Sequence, residues 1–211
     1  MKHLFTLLAL TIGFSINAQL LPVTENSNTG QRLTISNALN HGNIGFNALD
    51  LSFSDSSSST RGATGNHSFA TGYITIASGI YSTAMGEGTT ASGNRTLATG
   101  YSTTASGNRS TAMGNSTTAD GYSSTAMGNS STANGLNSTA MGFDTTASGS
   151  NSTAIGNNTT ASGNASLAMG LGTTAFGTYS TAMGNSATAS DFVSLVIGQY
   201  NSSGSSVTNS A

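Results

Sequence analysis

Alanine and glycine recur along the chain with a period of seven residues. Glycine stands at every seventh position from Gly65 to Gly184, and alanine precedes each of these positions by two residues, beginning with Ala63. The positions between them hold mainly Ser and Thr, with a Met, Ile or Leu in many of the heptads. A fixed internal period is typical of repeat architectures, in which each unit packs on its neighbours.

Two kinds of heptad alternate, so the structural period is fourteen residues. One kind reads STAMG, as at residues 110–114, and the other reads TTASG, as at residues 103–107. Each unit combines β-compatible Thr with small residues and ends at glycine, which predicts two short strands and two bends per fourteen residues. At Gly93-Asn94 and Gly114-Asn115 we expect the glycine to adopt a positive φ in a tight bend.

A coiled coil is the alternative structure with a period of seven. It needs large apolar residues at two positions of each heptad, and a glycine in every heptad would cost a helix about 1 kcal/mol relative to Ala. We therefore predict an all-β fold, a parallel β-roll of about ten 14-residue coils over residues 59–199.

Strand alternation then separates the side chains into two faces. Within STAMG the Ser, Ala and Gly share one face and the Thr and Met share the other. Small side chains suit a thin interior between two sheets, which leaves the large ones as an apolar ridge outside. The predicted ridge and its neighbours are Met85, Leu97, Met113, Met127, Met141, Ile155, Leu167, Met169, Met183 and Ile197. The alternative is the opposite register, with Met inside and Ala outside.

An exposed ridge of this length predicts self-association. Monomeric proteins rarely expose apolar patches larger than a few hundred Å². Identical ridges that meet at the axis of a closed oligomer would cover one another. We therefore expect the chain's main partner to be itself.

Larger polar and aromatic side chains fall in the bends. Tyr81, Arg95, Arg109 and Tyr179 share one fourteen-residue register, and Tyr and Arg are enriched in binding hot spots. We predict that these four residues contact a ligand, although bends that tolerate any side chain are the alternative. Tyr73, Tyr101 and Phe143 share a second register.

The TTASG heptads supply a competing hypothesis. A file of threonines runs through seven coils from Thr90 to Thr174 on the outward face, and regular ranks of Thr on a flat solenoid face are similar to those of ice-binding proteins. The partner positions hold Ser, Asp120, Asn134 and Phe176 instead of Thr, which interrupts the second rank.

The ends of the chain differ from the array. Residues 1–18 combine a short polar start, an apolar run and a small residue at position 18, as in a secretory signal peptide; a buried N-terminal helix is the alternative. Residues 19–58 lack a fixed period, and we assign them as a leader and N-terminal cap. Residues 200–211 are predicted to be a flexible polar tail.

Composition excludes several functions. The 211 residues include 5 Lys and Arg against 7 Asp and Glu, a net charge of −2, whereas nucleic-acid binding needs a strongly basic surface. No cysteine is present for a disulfide or a thiolate metal site. The spacing of His41 and His67 from the acidic residues pairs neither with a carboxylate. We therefore expect no enzyme activity, no catalytic residues, no metal and no cofactor.

Several repeats resemble a known family. Residues 151–156 read NSTAIG, residues 108–114 read NRSTAMG and residues 136–142 read LNSTAMG. These are similar to the head repeats of trimeric autotransporter adhesins, the YadA-like head family. The resemblance covers about residues 59–199.

Membership in that family implies a left-handed parallel β-roll and a homotrimer with apolar faces toward its axis. It also implies secretion and display on a bacterial cell surface for attachment to an unidentified host or matrix ligand. No neck, coiled-coil stalk or barrel anchor is visible in the sequence. We therefore expect either a fragment or a head used without that anchor, and membrane contact only through an anchor not present in this chain.

Overall fold

The chain folds as an all-β parallel solenoid of about twelve turns. The computed structural model describes residues 20–33 and 36–202, which also contain one short 3-10 helix, Ala38–Asn40. The predicted signal peptide, and the predicted tail beyond residue 202, lie outside the described residues. No helix in the described part is both long and apolar enough to cross a membrane.

Two sheets run the length of the described solenoid. The thirteen-stranded sheet contains β1 Leu20–Glu25, β2 Asn28–Leu33, β3 Leu49–Phe53, β5 Phe69–Tyr73, β7 Thr83–Glu87, β9 Leu97–Tyr101, β11 Thr111–Asn115, β13 Thr125–Asn129, β15 Thr139–Phe143, β17 Thr153–Asn157, β19 Leu167–Leu171, β21 Thr181–Asn185 and β23 Leu195–Gln199. The ten-stranded sheet contains two-residue strands: β4 Gly62–Ala63, β6 Ile76–Ala77, β8 Thr90–Ala91, β10 Thr104–Ala105, β12 Thr118–Ala119, β14 Thr132–Ala133, β16 Thr146–Ala147, β18 Thr160–Ala161, β20 Thr174–Ala175 and β22 Thr188–Ala189.

Successive turns pair in parallel without a shift in register. Met113 of β11 lies beside Met127 of β13, and Thr104 of β10 lies beside Thr118 of β12. Among the described strands, the ten long ones from β5 to β23 begin fourteen residues apart. This spacing confirms the predicted coil length and the predicted parallel β-roll.

The first turns are larger and irregular. β1 and β2 form an antiparallel hairpin, and β2 then pairs in parallel with β3 through Gln31 and Leu49. Leu49 lies beside Phe69, so this step is 20 residues long (69 minus 49) instead of fourteen. The long sheet therefore starts before the regular array, while the predicted boundaries at residues 18, 58 and 199 stay predictions.

The interior is built from alanine and buried hydroxyl side chains. The alanines of the seven-residue series from Ala70 to Ala182 are 0% exposed, and they come from both sheets. Ser and Thr that precede them by two residues, such as Thr117 and Ser124, are also buried. This burial rules out the register with Met inside. Because alanine buries little apolar area, the ladder of backbone hydrogen bonds carries much of the stability, at about 1 kcal/mol net for each bond.

The glycines serve two different purposes. Gly114 has the predicted positive φ, at 126°, but it lies inside β11, and the left-handed residue of the bend that follows is Ser116, at 53°. Gly93 was predicted to have a positive φ as well, and this is wrong: the left-handed residue of that bend is Arg95, at 59°. Glycine is needed at position 93 because a Cβ there would meet the carbonyl oxygen of Ser106 at 2.6 Å. Close stacking of coils, and not backbone conformation, explains glycine in the TTASG units.

Candidate functional site

A file of apolar side chains lies on the outer face of the thirteen-stranded sheet. We name it the Met ridge, and its members are Met85, Thr99, Met113, Met127, Met141, Ile155, Met169, Met183 and Ile197. The pairing register places each beside the next, as Met127 beside Met141 and Met141 beside Ile155. Most of these side chains are half-buried by their neighbours along the file, and Met113 is 36% exposed.

The two leucines predicted to join the ridge, and a third at Leu195, lie two residues before the ridge position on their strands. Leu97 begins β9, Leu167 begins β19 and Leu195 begins β23. Leu97 and Leu167 are half-buried, whereas Leu195 is exposed. The ridge and these leucines therefore form one apolar face on the outside of a single chain. Their role in a trimer interface stays a prediction.

A second surface follows one edge of the roll, where the ten-stranded sheet leads into the thirteen-stranded sheet. Tyr81, Arg95 and Arg109 occupy the same bend position in three consecutive coils, each at a φ near 60°. The backbone N–H of Arg95 donates to the carbonyl of Ile80, and that of Arg109 donates to Asn94. All three side chains are exposed, so the left-handed backbone presents them to solvent.

Tyr179 shares the register but is separated from the other predicted ligand contacts. It lies five coils beyond Arg109 (70 residues at 14 per coil), about 24 Å along the axis at one strand spacing per coil. The intervening positions hold Ser123, Asn137, Asn151 and Ala165. The structure thus brings three of the four predicted contacts together and leaves Tyr179 apart, where its ring meets Phe192 edge to face.

Three further residues extend the edge and were missed. His67 stacks on Tyr81 with ring centroids 4.8 Å apart, and Phe46 meets His67 edge to face at 5.6 Å. Tyr122 lies under the guanidinium of Arg109. His67 was detectable because it precedes Tyr81 by fourteen residues, but Phe46 lies outside the regular period. We name the following set the edge strip: Phe46, His67, Tyr81, Arg95, Arg109 and Tyr122.

The second predicted register of large side chains is less continuous. Tyr101 and Phe143 are about half exposed at the ends of β9 and β15, and they are three coils apart. Tyr73 donates its hydroxyl proton to Asp55 at 2.8 Å, and this hydrogen bond raises the pKa of the tyrosine. No continuous contact surface results from this register within the described coils.

A buried charged cluster ties the hairpin to the first turns. The Arg32 Nε lies 3.2 Å from Asp50 Oδ2, and the Arg32 Nη1 lies 3.0 Å from Glu25 Oε1. His41 Nδ1 lies 3.2 Å from the same Asp50 oxygen. The expectation that no acidic residue pairs with His41 is therefore wrong, because the irregular loops bring the two together across nine residues. Ser52 donates both its N–H and its hydroxyl proton to Asp50.

The environment of Asp50 keeps it ionised. Burial opposes the charge and acts to raise the pKa of Asp50, but hydrogen bonds from His41 and Ser52 outweigh it and hold that pKa below its ordinary value. His41, Asp50 and Ser52 are all buried. The cluster therefore ties the hairpin to the first turns from inside the fold. Among the described residues, no group of three or more His, Cys, Asp or Glu could hold a metal ion.

An alanine-filled parallel roll with an exposed apolar face and an exposed edge defines a repetitive structural domain. The model of the YadA head domain repeat matches the chain in eight overlapping windows, which start every fourteen residues from residue 77 and together span residues 77–191. The chain therefore belongs to the YadA head family, and its repeats form an adhesin-type head domain of a non-enzymatic family. No curated protein matches the chain at a significant level.

Proposed function

We propose that the chain is the head of a homotrimeric adhesin or fibre, secreted and displayed on a bacterial cell surface, that attaches to host cells, matrix or other cells. The observation that carries this proposal is the exposed Met ridge on an otherwise polar roll. Membership in the YadA head family supports the number of copies and the surface location.

The ridge is long enough to drive association. It extends over nine coils from position 85 to position 197, about 38 Å for eight strand spacings. An uncovered apolar strip of that length on a single chain would bind other surfaces without specificity. Three copies about a closed axis would bury the strip and leave the ten-stranded sheet and the bends facing outward.

Attachment is assigned to the edge strip. It combines exposed rings with the guanidinium groups of Arg95 and Arg109, the residue types that contribute most often to binding hot spots. A trimer would present three such strips on one rod. Several weak contacts made together bind far more tightly than each alone, because the second and third become intramolecular.

The mass of the purified chain by light scattering, over a dilution series, tests the trimer. We expect a mass near three chains. Replacing Met127 and Met141 together by Lys would give a folded monomer, since the side chains point away from the alanine interior. The matched control replaces Thr132 and Thr146 by Lys on the outer face of the ten-stranded sheet and should leave the mass unchanged. A native chain that stays monomeric would overturn the proposal.

The threonine file supports a second candidate function, ice binding. Thr118, Thr132 and Thr146 lie beside one another in register on the outer face, and the file continues to Thr188. Phe176 and Asp120 interrupt the neighbouring rank, and Asp120 accepts a hydrogen bond from Ser106. Thermal hysteresis and ice recrystallisation assays test this function. Absence of activity at high concentration would exclude it.

A further inference from the structure

The outer face of the thirteen-stranded sheet has two columns of side chains. Column one contains the first residue of each long strand from β5 to β23, and column two contains the third residue, which from Met85 onward is the Met ridge. In six of these ten described coils, column one holds Thr and column two holds Met or Ile, as at Thr125 and Met127. Parallel pairing without a shift keeps each column straight.

In two coils the large and small side chains change places. β9 has Leu97 in column one and Thr99 in column two, and β5 has Phe69 and Thr71 in the same arrangement. Thr99 lies beside Met113, so the ridge has a gap at this height. Leu97 lies beside threonines in both neighbouring strands, so it stands out from its own column.

The gap and the projection lie at the same height on one chain. In a ring of three identical chains each interface is heterologous, so column one of one copy meets column two of the next. The projection of one copy then meets the gap of its neighbour. Leu97 faces Thr99, and Phe69 faces Thr71, so at these two coils a large side chain meets a threonine. The other two coils, β19 and β23, hold large residues in both columns, so Leu167 faces a large side chain both in the matched register and after a slip of one coil.

We infer that these two exchanged coils set the axial register of the assembly, an inference that rests on the proposed homotrimer. Coils with Thr in column one and Met in column two are alike. If all coils were of this kind, one copy could shift along the axis by one coil relative to its neighbour and make the same contacts. After such a slip Leu97 would face Met85 or Met113 instead of Thr99, and Thr99 would face Thr83 or Thr111. The slipped interface is therefore more crowded at one coil and emptier at another than the matched interface. The exchange acts as a single polar residue does in a coiled coil, where one exceptional position selects the register.

Cross-linking between cysteines tests the register, because the chain has no cysteine of its own. Differently tagged chains carrying Thr139→Cys or Met141→Cys are co-expressed and oxidised with a mild oxidant. A direct disulfide requires Cβ atoms about 4 Å apart, so its formation reports copies in matched register. Pairing Thr139→Cys with Met127→Cys reports a slip of one coil. In the native background we expect at least about a tenfold excess of the matched product, equivalent to about 1.4 kcal/mol.

Two further backgrounds isolate the exchanged coils. Leu97→Thr with Thr99→Met, combined with Phe69→Thr and Thr71→Met, restores the common arrangement that the solenoid already accommodates at Thr125 and Met127. We expect this variant to remain trimeric but to give comparable matched and slipped products. Thr181→Leu with Met183→Thr adds a third exchanged coil, away from the cross-linked positions, and should retain the native excess.

The two proposals fail in different ways. A trimeric mass with the matched excess undiminished in the restored variant would overturn the register inference and leave the proposed function standing. An equal yield of matched and slipped products in the native trimer would also overturn it. A monomeric mass of the native chain would overturn the proposed function itself.

Discussion

The guanidinium carbon of Arg109 lies 5.2 Å from the centre of the Tyr122 ring in the next coil. A cation within about 6 Å of an aromatic face is attracted by the ring quadrupole. The contact therefore restrains an exposed positive charge, with Arg95 one coil away in the same bend register. This arrangement is the strongest reason to assign ligand contact to the edge strip.

Replacing Arg95 and Arg109 together by Ala should weaken attachment without altering assembly. Truncation of a binding hot spot costs more than about 1 kcal/mol, so we expect at least about a tenfold loss for the pair. Beads coated with the chain and applied to immobilised matrix measure attachment, and light scattering confirms the trimer.

The matched control for this change is Asn137→Ala with Asn151→Ala. Both asparagines occupy the same left-handed bend position, at φ values of 52° and 55°, so any backbone effect of alanine is shared. Attachment should survive in the control. Undiminished attachment by the arginine variant would remove the edge strip from consideration.

Two glycines should respond differently to substitution. A Cβ at Gly107 would overlap the carbonyl oxygen of Gly121 in the next coil, and continuous strand pairing prevents the coils from separating. Gly107→Ala should cost at least about 2 kcal/mol of unfolding free energy. Gly172 has a φ of 61°, but the nearest atom to its Cβ is 3.5 Å away, and Asn tolerates this conformation. Gly172→Asn should change stability by less than about 0.5 kcal/mol. Urea unfolding measures both; similar losses would contradict the distinction between packing and conformation.

Two buried threonines allow the contribution of an internal hydroxyl hydrogen bond to the free energy of unfolding to be measured. The Thr96 hydroxyl donates to the Gly93 carbonyl at 2.7 Å, whereas the Thr117 hydroxyl has no hydrogen-bond partner among the described residues. Thr96→Val should lose about 1 kcal/mol, and Thr117→Val should be neutral or stabilising. Thermal unfolding of the two variants measures this difference in stability. Equal destabilisation would show that the Thr117 hydroxyl is hydrogen-bonded.

Acid should loosen the N-terminal turns through Asp50. Because the folded-state pKa is depressed, the stabilisation is fully present above the unfolded value of about 3.9. It is lost as the pH falls through the lower folded value. Hydrogen exchange of the β2 and β3 amides, compared with the intrinsic exchange rate at each pH, should show lower protection at pH 3 than at pH 7.

Asp50→Asn should cost about 1–3 kcal/mol at neutral pH, since Arg32 Nε, His41 and Ser52 would lose their buried carboxylate partner while Arg32 keeps Glu25. The same variant should show a weaker acid response in β2 and β3. Asp55→Asn is the control, because Asp55 is exposed and accepts only the Tyr73 hydroxyl among the hydrogen bonds described above. An acid response unchanged in Asp50→Asn would place the titrating group elsewhere.

For residues in the regular coils, the sequence was sufficient to predict the strand and the face of the sheet, because every coil repeats the same pattern of small and large residues. Ala119 and Met127 belong to strands in which alternation alone decides the face, once the small residues are taken as interior. The edge residues Tyr81, Arg95 and Arg109 could also be grouped by their shared register. The same period places Tyr179 five coils beyond Arg109, but it could not predict that the Tyr179 ring meets Phe192 edge to face.

The fourteen-residue coil, the parallel pairing and the family could all be predicted from the sequence, because units of equal length with glycine at fixed positions stack in register. The folded chain was needed to choose between the two possible interiors, to show that Arg95 and not Gly93 is left-handed, and to bring His41 to Asp50. A shift of one residue along a strand exchanges its inner and outer faces. Alanine inside with methionine outside and the reverse arrangement therefore both fit the alternation of the sequence. The contact of His41 with Asp50 depends on loops of irregular length, for which no local periodicity exists to predict a partner.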